Sequence, residues 1–168
     1  MPFSQENKIV IGIDPGTEIT GYGVIAEQNG TPLLLEGGII RGGNGELHLR
    51  LDSIFKELQK IIKEFKPDRM AVEQLYAHYK HPKTSIIMGH ARGVILLSAA
   101  QSNLELKSYP ATEIKRSIAG SGRASKDKIR RMVTHILGLQ AEPEYDDISD
   151  ALAAALTDIM HHSKQAAR

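Results

Sequence analysis

The chain contains no cysteine, which excludes disulfides and thiolate metal sites and fits a reducing compartment, so a cytoplasmic location is expected. It has no apolar run near the ~18 residues of a membrane helix, and no membrane span is expected. Its first residues, Met-Pro-Phe-Ser-Gln-Glu-Asn, lack the basic and apolar regions of a secretory leader. A strong net charge is also missing. The 21 Lys and Arg against 20 Asp and Glu leave +1 at neutral pH, so only the distribution of charge can indicate a partner. There is no internal repeat and no low-complexity segment. What is present is ordinary for a globular protein, 41% hydrophobic and 24% charged residues. At 168 residues the chain suits one domain with a substantial core better than two.

Residues 8–14 (Lys-Ile-Val-Ile-Gly-Ile-Asp) read as a buried strand, apolar and β-branched. After the Pro15-Gly16-Thr17 turn, 20–27 form a second strand. Asn29-Gly30 signals a hairpin, and 32–41 supply the third strand. Leu47, Leu51, Ile54, Leu58, Ile61 and Ile62 recur at helical spacing between 46 and 65. A short inner strand is predicted at 70–73, a helix at about 83–100 and a strand near 104–109. Thr112 is expected to cap a short helix, and Ser125 another that runs through Leu137 and stops at Gly138. The last helix is placed at 147–161, with a core of about 8–160 and a disordered tail from about 163 to 168. Three antiparallel strands followed by alternating helices and strands imply a mixed five-stranded α/β sheet with helices on both faces.

Four acidic residues stand out in that frame. Asp14 and Glu73 each close a short apolar strand, and Asp147 and Asp150 lie three apart at the start of an alanine- and leucine-rich helix, hence on one face. Carboxylates are costly near a core, and several together repel one another. Hard divalent cations with oxygen ligands relieve both problems, and two such ions support phosphodiester chemistry. If the first and fourth strands are neighbours, Asp14 and Glu73 meet. Asp14 is then the expected bridging ligand of two Mg²⁺ (or Mn²⁺) ions, roughly 3.5–4 Å apart, with Glu73, Asp147 and Asp150 completing the shells. The histidines His78, His81 and His90 suggest zinc, but cysteine is absent and no fourth ligand has suitable spacing. They are read as exposed or DNA-facing, and His161 and His162 as part of the tail.

Charge is concentrated in one place. Between 112 and 131, Lys115, Arg116, Arg123, Lys126, Lys128, Arg130 and Arg131 face only Glu113 and Asp127. A local surplus of that kind can neutralise phosphates in a chain that is nearly neutral overall.

The run Gly12-Ile-Asp14-Pro-Gly16-Thr-Glu-Ile-Thr20-Gly-Tyr-Gly-Val24-Ile resembles the opening of the RuvC-type Holliday-junction resolvases. The match continues in order through Ala71-Val-Glu73-Gln-Leu-Tyr76, Gly89-His-Ala-Arg92-Gly-Val, Pro110-Ala-Thr112-Glu-Ile-Lys115, Gly120-Ser-Gly122-Arg-Ala124-Ser-Lys126 and Asp147-Ile-Ser-Asp150-Ala-Leu-Ala. The resemblance implies an RNase H-like fold, a homodimer, Mg²⁺ dependence and paired symmetric nicks in a four-way DNA junction, leaving 5′-phosphate and 3′-hydroxyl ends, in recombination and repair. It also implies a RuvA–RuvB branch-migration partner. Carried onto this sequence, the catalytic carboxylates and metal ligands fall on Asp14, Glu73, Asp147 and Asp150. Asp146 matches no catalytic position and reads as a solvated helix cap.

Lys115 and Lys126 match basic positions near the scissile phosphate, while Arg123, Lys128 and Arg130 are expected to add phosphate contacts. Tyr76 stands where the family usually carries a base-stacking Phe, a contact worth roughly 1–3 kcal/mol per base. The following Ala77-His-Tyr-Lys-His-Pro82-Lys83 departs from the family pattern. The helix with Ile86, Ile87, Ala91, Val94, Ile95 and Leu97 reads as core. Gly89 and Gly93 permit close helix approach, and in the resembled family this helix builds the dimer interface.

Three other readings compete. A related nuclease of ribosomal RNA precursors shares the Gly-Ile-Asp-x-Gly-Thr opening, but not the full set through Lys126 and Asp150. Sugar-kinase and actin-like ATPases share the Asp-x-Gly-Thr loop but need two such domains. A silent junction-binding module is unsupported while all four carboxylates remain.

Overall fold

A computed structural model describes residues 8–75 and 80–166. Tyr76 and His78, singled out above, lie outside the described residues. The elements are β1 (Lys8–Asp14), β2 (Ile19–Gln28), β3 (Thr31–Arg41), α1 (Leu47–Phe65), β4 (Arg69–Glu73), α2 (Pro82–Gln101), β5 (Glu105–Tyr109), α3 (Ala111–Ala119), α4 (Lys126–Ile136) and α5 (Asp146–Ala166). The sheet order is β3-β2-β1-β4-β5. β1 pairs antiparallel with β2 and β2 with β3, whereas β1–β4 and β4–β5 are parallel. This is the mixed five-stranded sheet that the sequence predicts.

β1 is buried on both faces, which is why it reads as a continuous apolar run. Its alternate residues serve two cores. Ile11 and Ile13 join Ile54, Leu58 and Ile62 of α1 and Ile95 and Ala99 of α2 on one face. Val10 joins Leu152, Leu156 and Ile159 of α5 and Ile114, Ile129 and Val133 of α3 and α4 on the other.

α5 lies unusually close to the sheet, and small residues make this possible. A Cβ at Gly12 would fall 1.9 Å from the Ala151 carbonyl oxygen, and one at Gly21 would fall 2.1 Å from that of Asp147. Both obstacles are backbone, so neither can move aside cheaply. The glycines of β1 and β2 and the alanines of α5 therefore fix where the N-terminal turn of that helix stands.

Three local expectations are corrected. Thr112 is no cap: α3 begins at Ala111 with Pro110 as N-cap and no side-chain cap bond. Pro110 has the extended backbone of a cap residue, and its carbonyl accepts from the Glu113 and Ile114 amides at 3.0 and 3.1 Å. The tail is helical through Ala166 rather than disordered from 163. The Ser163 hydroxyl, 2.9 Å from the Glu27 carboxylate and 3.0 Å from the Ile159 carbonyl, ties that turn down. His161 and His162 accordingly belong to α5. The His161 ring packs edge-on against Tyr109 and its Nε2 lies 3.3 Å from Glu113, while His162 Nδ1 lies 3.6 Å from Asp158.

α2 is only half core. Ala91, Ile95, Ser98 and Ala99 are buried, but Ile86 (62% exposed), Ile87 (41%) and Leu97 (51%) face outward. Nothing lies within 4 Å of a Cβ built at Gly93.

Candidate active site

The parallel pairing of β1 with β4 aligns Ile13 with Val72, so the next residues along, Asp14 and Glu73, emerge side by side at the strand ends. The first turn of α5, seated on Gly21, brings Asp147 and Asp150 to the same place. All four acids line one cleft of about 470 Å³, together with Lys115 from α3 and Lys126 from α4. Six chemically relevant side chains from five elements thus meet, as the sequence predicts for the carboxylates.

The electrostatics are those of too many like charges in a partly dry place. Burial pushes the Asp14 carboxyl up to about 8, helped by the charges of Asp150, then Asp147, then Glu73, with Lys126 opposing. Burial also raises Glu73, as does Asp150, against Lys115 and Lys126. Asp150 is raised by burial and by Asp146 and Asp147, against Lys126 and Lys115. The Lys126 ammonium stands 3.8 Å from Asp150 and remains largely exposed. Burial first, and then the neighbouring carboxylates, favour the protonated form of Asp14 in the metal-free cleft.

Among the described residues, no three acidic or histidine side chains converge tightly enough to hold an ion as they stand. The donor set still suits a hard divalent cation. All its donors are oxygens, they carry excess negative charge, and they line an open cleft with room for water. Asp14, Glu73, Asp147 and Asp150 are the residues that would hold such ions.

The basic residues divide. Arg123 and Lys128 are exposed, with no carboxylate at ion-pair distance among the described residues. Arg130 is different. Its guanidinium contacts Glu142 at 2.7 Å and both Asp127 and Asp146 at 2.9 Å. Three acids around one cation favour a bracing role between α4 and the start of α5 over a phosphate contact. Asp146, read from sequence as a solvated cap, is one of those braces.

Sequence reasoning missed two arrangements. Arg92 on α2 donates to the Glu73 carbonyl at 3.1 Å and to the Ser108 hydroxyl at 2.8 Å, so it ties the ends of β4 and β5 together and lines a pocket with Asp14 and Glu73. Burial lowers its proton affinity. Arg69 on β4 forms a buried pair with Asp158 of α5, Nε to Oδ2 2.6 Å, and Tyr109 donates to the other Asp158 oxygen at 2.8 Å.

Comparison with known proteins agrees with this geometry. The family model described as "Crossover junction endodeoxyribonuclease RuvC" matches residues 10–158. The chain belongs to the RuvC family. Its relative of that name from Moorella thermoacetica is 42% identical over 149 residues, covering 88% of this chain and 89% of that protein. The one from Caldicellulosiruptor saccharolyticus is 42% identical over 156 residues, covering 92% and 93%. Among solved structures, Thermus thermophilus RuvC in complex with a Holliday junction substrate superposes with a TM-score of 0.87 at 29% identity, over 94% of this chain and 96% of that one. The yeast mitochondrial Holliday junction resolvase Ydc2 shares the fold, with a TM-score of 0.65 at 11% identity. The RNase H-like fold implied by the sequence resemblance is therefore the fold observed.

Proposed function

We propose that this protein is a Mg²⁺-dependent endonuclease that resolves four-way DNA junctions by paired symmetric nicks, in the service of recombination and repair in the cytoplasm. The observation that carries this reading is the convergence of Asp14, Glu73, Asp147 and Asp150 on one cleft, where Asp14 is pushed up to about 8 by burial and by the other three. Membership of the RuvC family supports the choice of substrate. Two divalent cations bound there would supply Lewis acidity at the scissile phosphate and favour hydroxide over water at the attacking position, with release of 3′-hydroxyl and 5′-phosphate ends. Mn²⁺ meets the same oxygen donors. The chain's own residues do the rest. Asp14 would have to be deprotonated to hold such a cation. Lys115 and Lys126, opposite the acids, hold the phosphodiester in place. Exposed Arg123 and Lys128 extend this basic side along the backbone. Tyr76, three residues beyond Glu73, is assigned to stacking on an unpaired base at the opened junction.

Paired nicks require two sites, and the outward apolar face of α2 supports a homodimer. Ile86 and Leu97, with Leu51, Gly93 and Val94, form a shallow apolar patch suited to a second copy, and Ile87 is exposed on the same helix. A RuvA–RuvB complex is the corresponding branch-migration partner. The test compares a synthetic four-way junction, a linear duplex and an RNA hairpin, with and without Mg²⁺. Symmetric nicks confined to the junction and to Mg²⁺ are expected. Cleavage of RNA alone overturns the reading, and sedimentation that shows only monomer at micromolar concentration overturns the dimer.

A further inference from the structure

The lysines that line the cleft come from α3 and α4, and the sheet rim continues past Asp14 through β2 to β3. Across the strand ends, Asp14 pairs with Gly21, and Ile19 at the start of β2 pairs with Arg41 at the end of β3. Arg41 therefore stands on the same rim, two strand spacings across and two residues along from Asp14, roughly 12 Å away. Beside it a separate open cleft of about 390 Å³ is lined by Glu18, Ile19, Arg41, Gly43, Asn44 and Arg50.

Both arginines are anchored to segments that adjoin catalytic carboxylates. Arg50 of α1 donates through Nε to the Thr17 carbonyl at 3.2 Å and through Nη2 to the Thr17 hydroxyl at 3.0 Å, three residues after Asp14. Arg41 donates through Nη2 to the Tyr145 hydroxyl at 3.1 Å and lies over its ring at 5.8 Å, two residues before Asp147. These bonds use a minority of the five donors that each guanidinium carries. Among the described residues neither has a carboxylate at ion-pair distance, and Glu18 shares the cleft without reaching either one. The connecting stretch Gly42-Gly43-Asn44-Gly45 presents mostly bare backbone there. Two oriented guanidiniums without acidic partners, a polar backbone and an open cleft suit an anion with several oxygens.

We propose that Arg41 and Arg50 form a second phosphate-binding surface, which takes the DNA backbone on the β2–β3 side of the active site, opposite Lys115 and Lys126. The spacing from Asp14 corresponds to the helical rise of about three to four nucleotides, at ~3.4 Å each. The strand being cut is then held on both sides of the scissile bond. Because each arginine also touches a segment flanking a catalytic acid, phosphate binding here aligns Asp14 and Asp147 with the substrate.

This inference rests on the junction-nuclease reading above. The test measures four-way junction binding by full-length protein in a nicking-dead Asp14→Asn background, over about 50 to 200 mM salt. Arg41→Gln and Arg50→Gln should each make the slope of log affinity against log salt shallower by about one, alike for junctions of different core sequence, while Arg41→Lys keeps the slope. Arg41 is exposed, so Arg41→Gln carries the test even if Arg50→Gln, which loses both Thr17 bonds, fails to fold. If the parent binds and Arg41→Gln matches it in affinity and slope, this inference alone is overturned. A parent that binds no four-way junction overturns both readings.

Discussion

Asp150 and Asp158 sit on the same helix, eight residues and roughly 12 Å apart, and the protein treats them in opposite ways. Asp158 is fully buried, with Arg69 at 2.6 Å on one oxygen and Tyr109 at 2.8 Å on the other. Asp150 is half-buried among Asp14, Glu73 and Asp147, and its nearest cation is an exposed lysine at 3.8 Å. One acid has been given partners from the fold. The other has been given repulsion. A fold that readily supplies an arginine and a tyrosine to one carboxylate leaves four others under-compensated only where something from outside completes them. The C-terminal half of α5 is therefore architecture, and its N-terminal turn is the end that the proposed function uses.

The largest expected effect tests the working end. Asp147→Asn and Asp150→Asn should each cut junction nicking by more than about 100-fold, the upper range for losing a group that merely supports a metal ligand. Junction binding and thermal stability should persist, and the metal-free protein should melt no lower because a repulsive charge has gone. A gel assay beside a melting curve reads both. Retained nicking, or unfolding, would make Asp150 structural like Asp158 and erase the contrast.

The converse change belongs to the architectural end. Asp158→Asn leaves a buried Arg69 guanidinium short of its counter-charge and should cost about 3–5 kcal/mol in a denaturant titration. The same protein, kept cool and folded, should still nick at near its normal rate. Replacing both Arg69 and Asp158 with apolar residues of similar size should recover most of that loss. A large nicking defect in folded Asp158→Asn would show that the pair serves the site rather than the scaffold.

The two ends also differ in their dependence on pH. Asp14 titrates near 3.8 in the unfolded chain and at about 8 in the metal-free fold. Between those values the native state binds a proton that the unfolded state does not, so stability falls as pH rises through the window. Without metal, the melting temperature should decline from about pH 5 to 8. Mg²⁺, which competes with that proton, should flatten or reverse the trend, and Asp14→Asn should lack it. A metal-free melting temperature that is constant across this range in the parent would count against the crowded-carboxylate picture.

How much of this was legible in the sequence follows from the range of each interaction. Asp14 and Glu73 were visible because an acid that ends an apolar strand conflicts with its surroundings locally, and Asp147 and Asp150 because i and i+3 share a helix face. The antiparallel strands and the amphipathic α1 announced themselves by period. Arg69 did not stand out. It falls just before the strand expected at 70–73, and its partner lies 89 residues away. Ser163 looked like a frayed end because its tie to Glu27 spans 136 residues. Arg92 lay within a run matched to the family, yet nothing local says that its guanidinium reaches the carbonyl of Glu73. The partners of Arg130 are hidden for the same reason. Counting charge along 112–131 includes it in the basic surplus, but Glu142 and Asp146 neutralise it from outside that window.

The smallest expected effect sharpens the boundary between the two kinds of acid. Asp146 adjoins Asp147 and begins the same helix, so position along the chain hardly distinguishes them. Their partners do. Both line the cleft with Asp14 and Glu73, but Asp146 is exposed and reaches Arg130 at 2.9 Å, whereas Asp147 has no cation at ion-pair distance among the described residues. Asp146→Asn removes one of three acids around Arg130 and leaves Asp127 and Glu142 in place. The loss should be within the 0–1 kcal/mol typical of an exposed pair, and nicking should change by less than about twofold, a difference of roughly 0.4 kcal/mol or less. Single-turnover nicking by Asp146→Asn and Asp147→Asn proteins, side by side, checks this. Equal loss in both would mean that the first turn of α5 acts as one acidic unit, and the distinction between braced and working carboxylates would then have to move one residue toward the N-terminus.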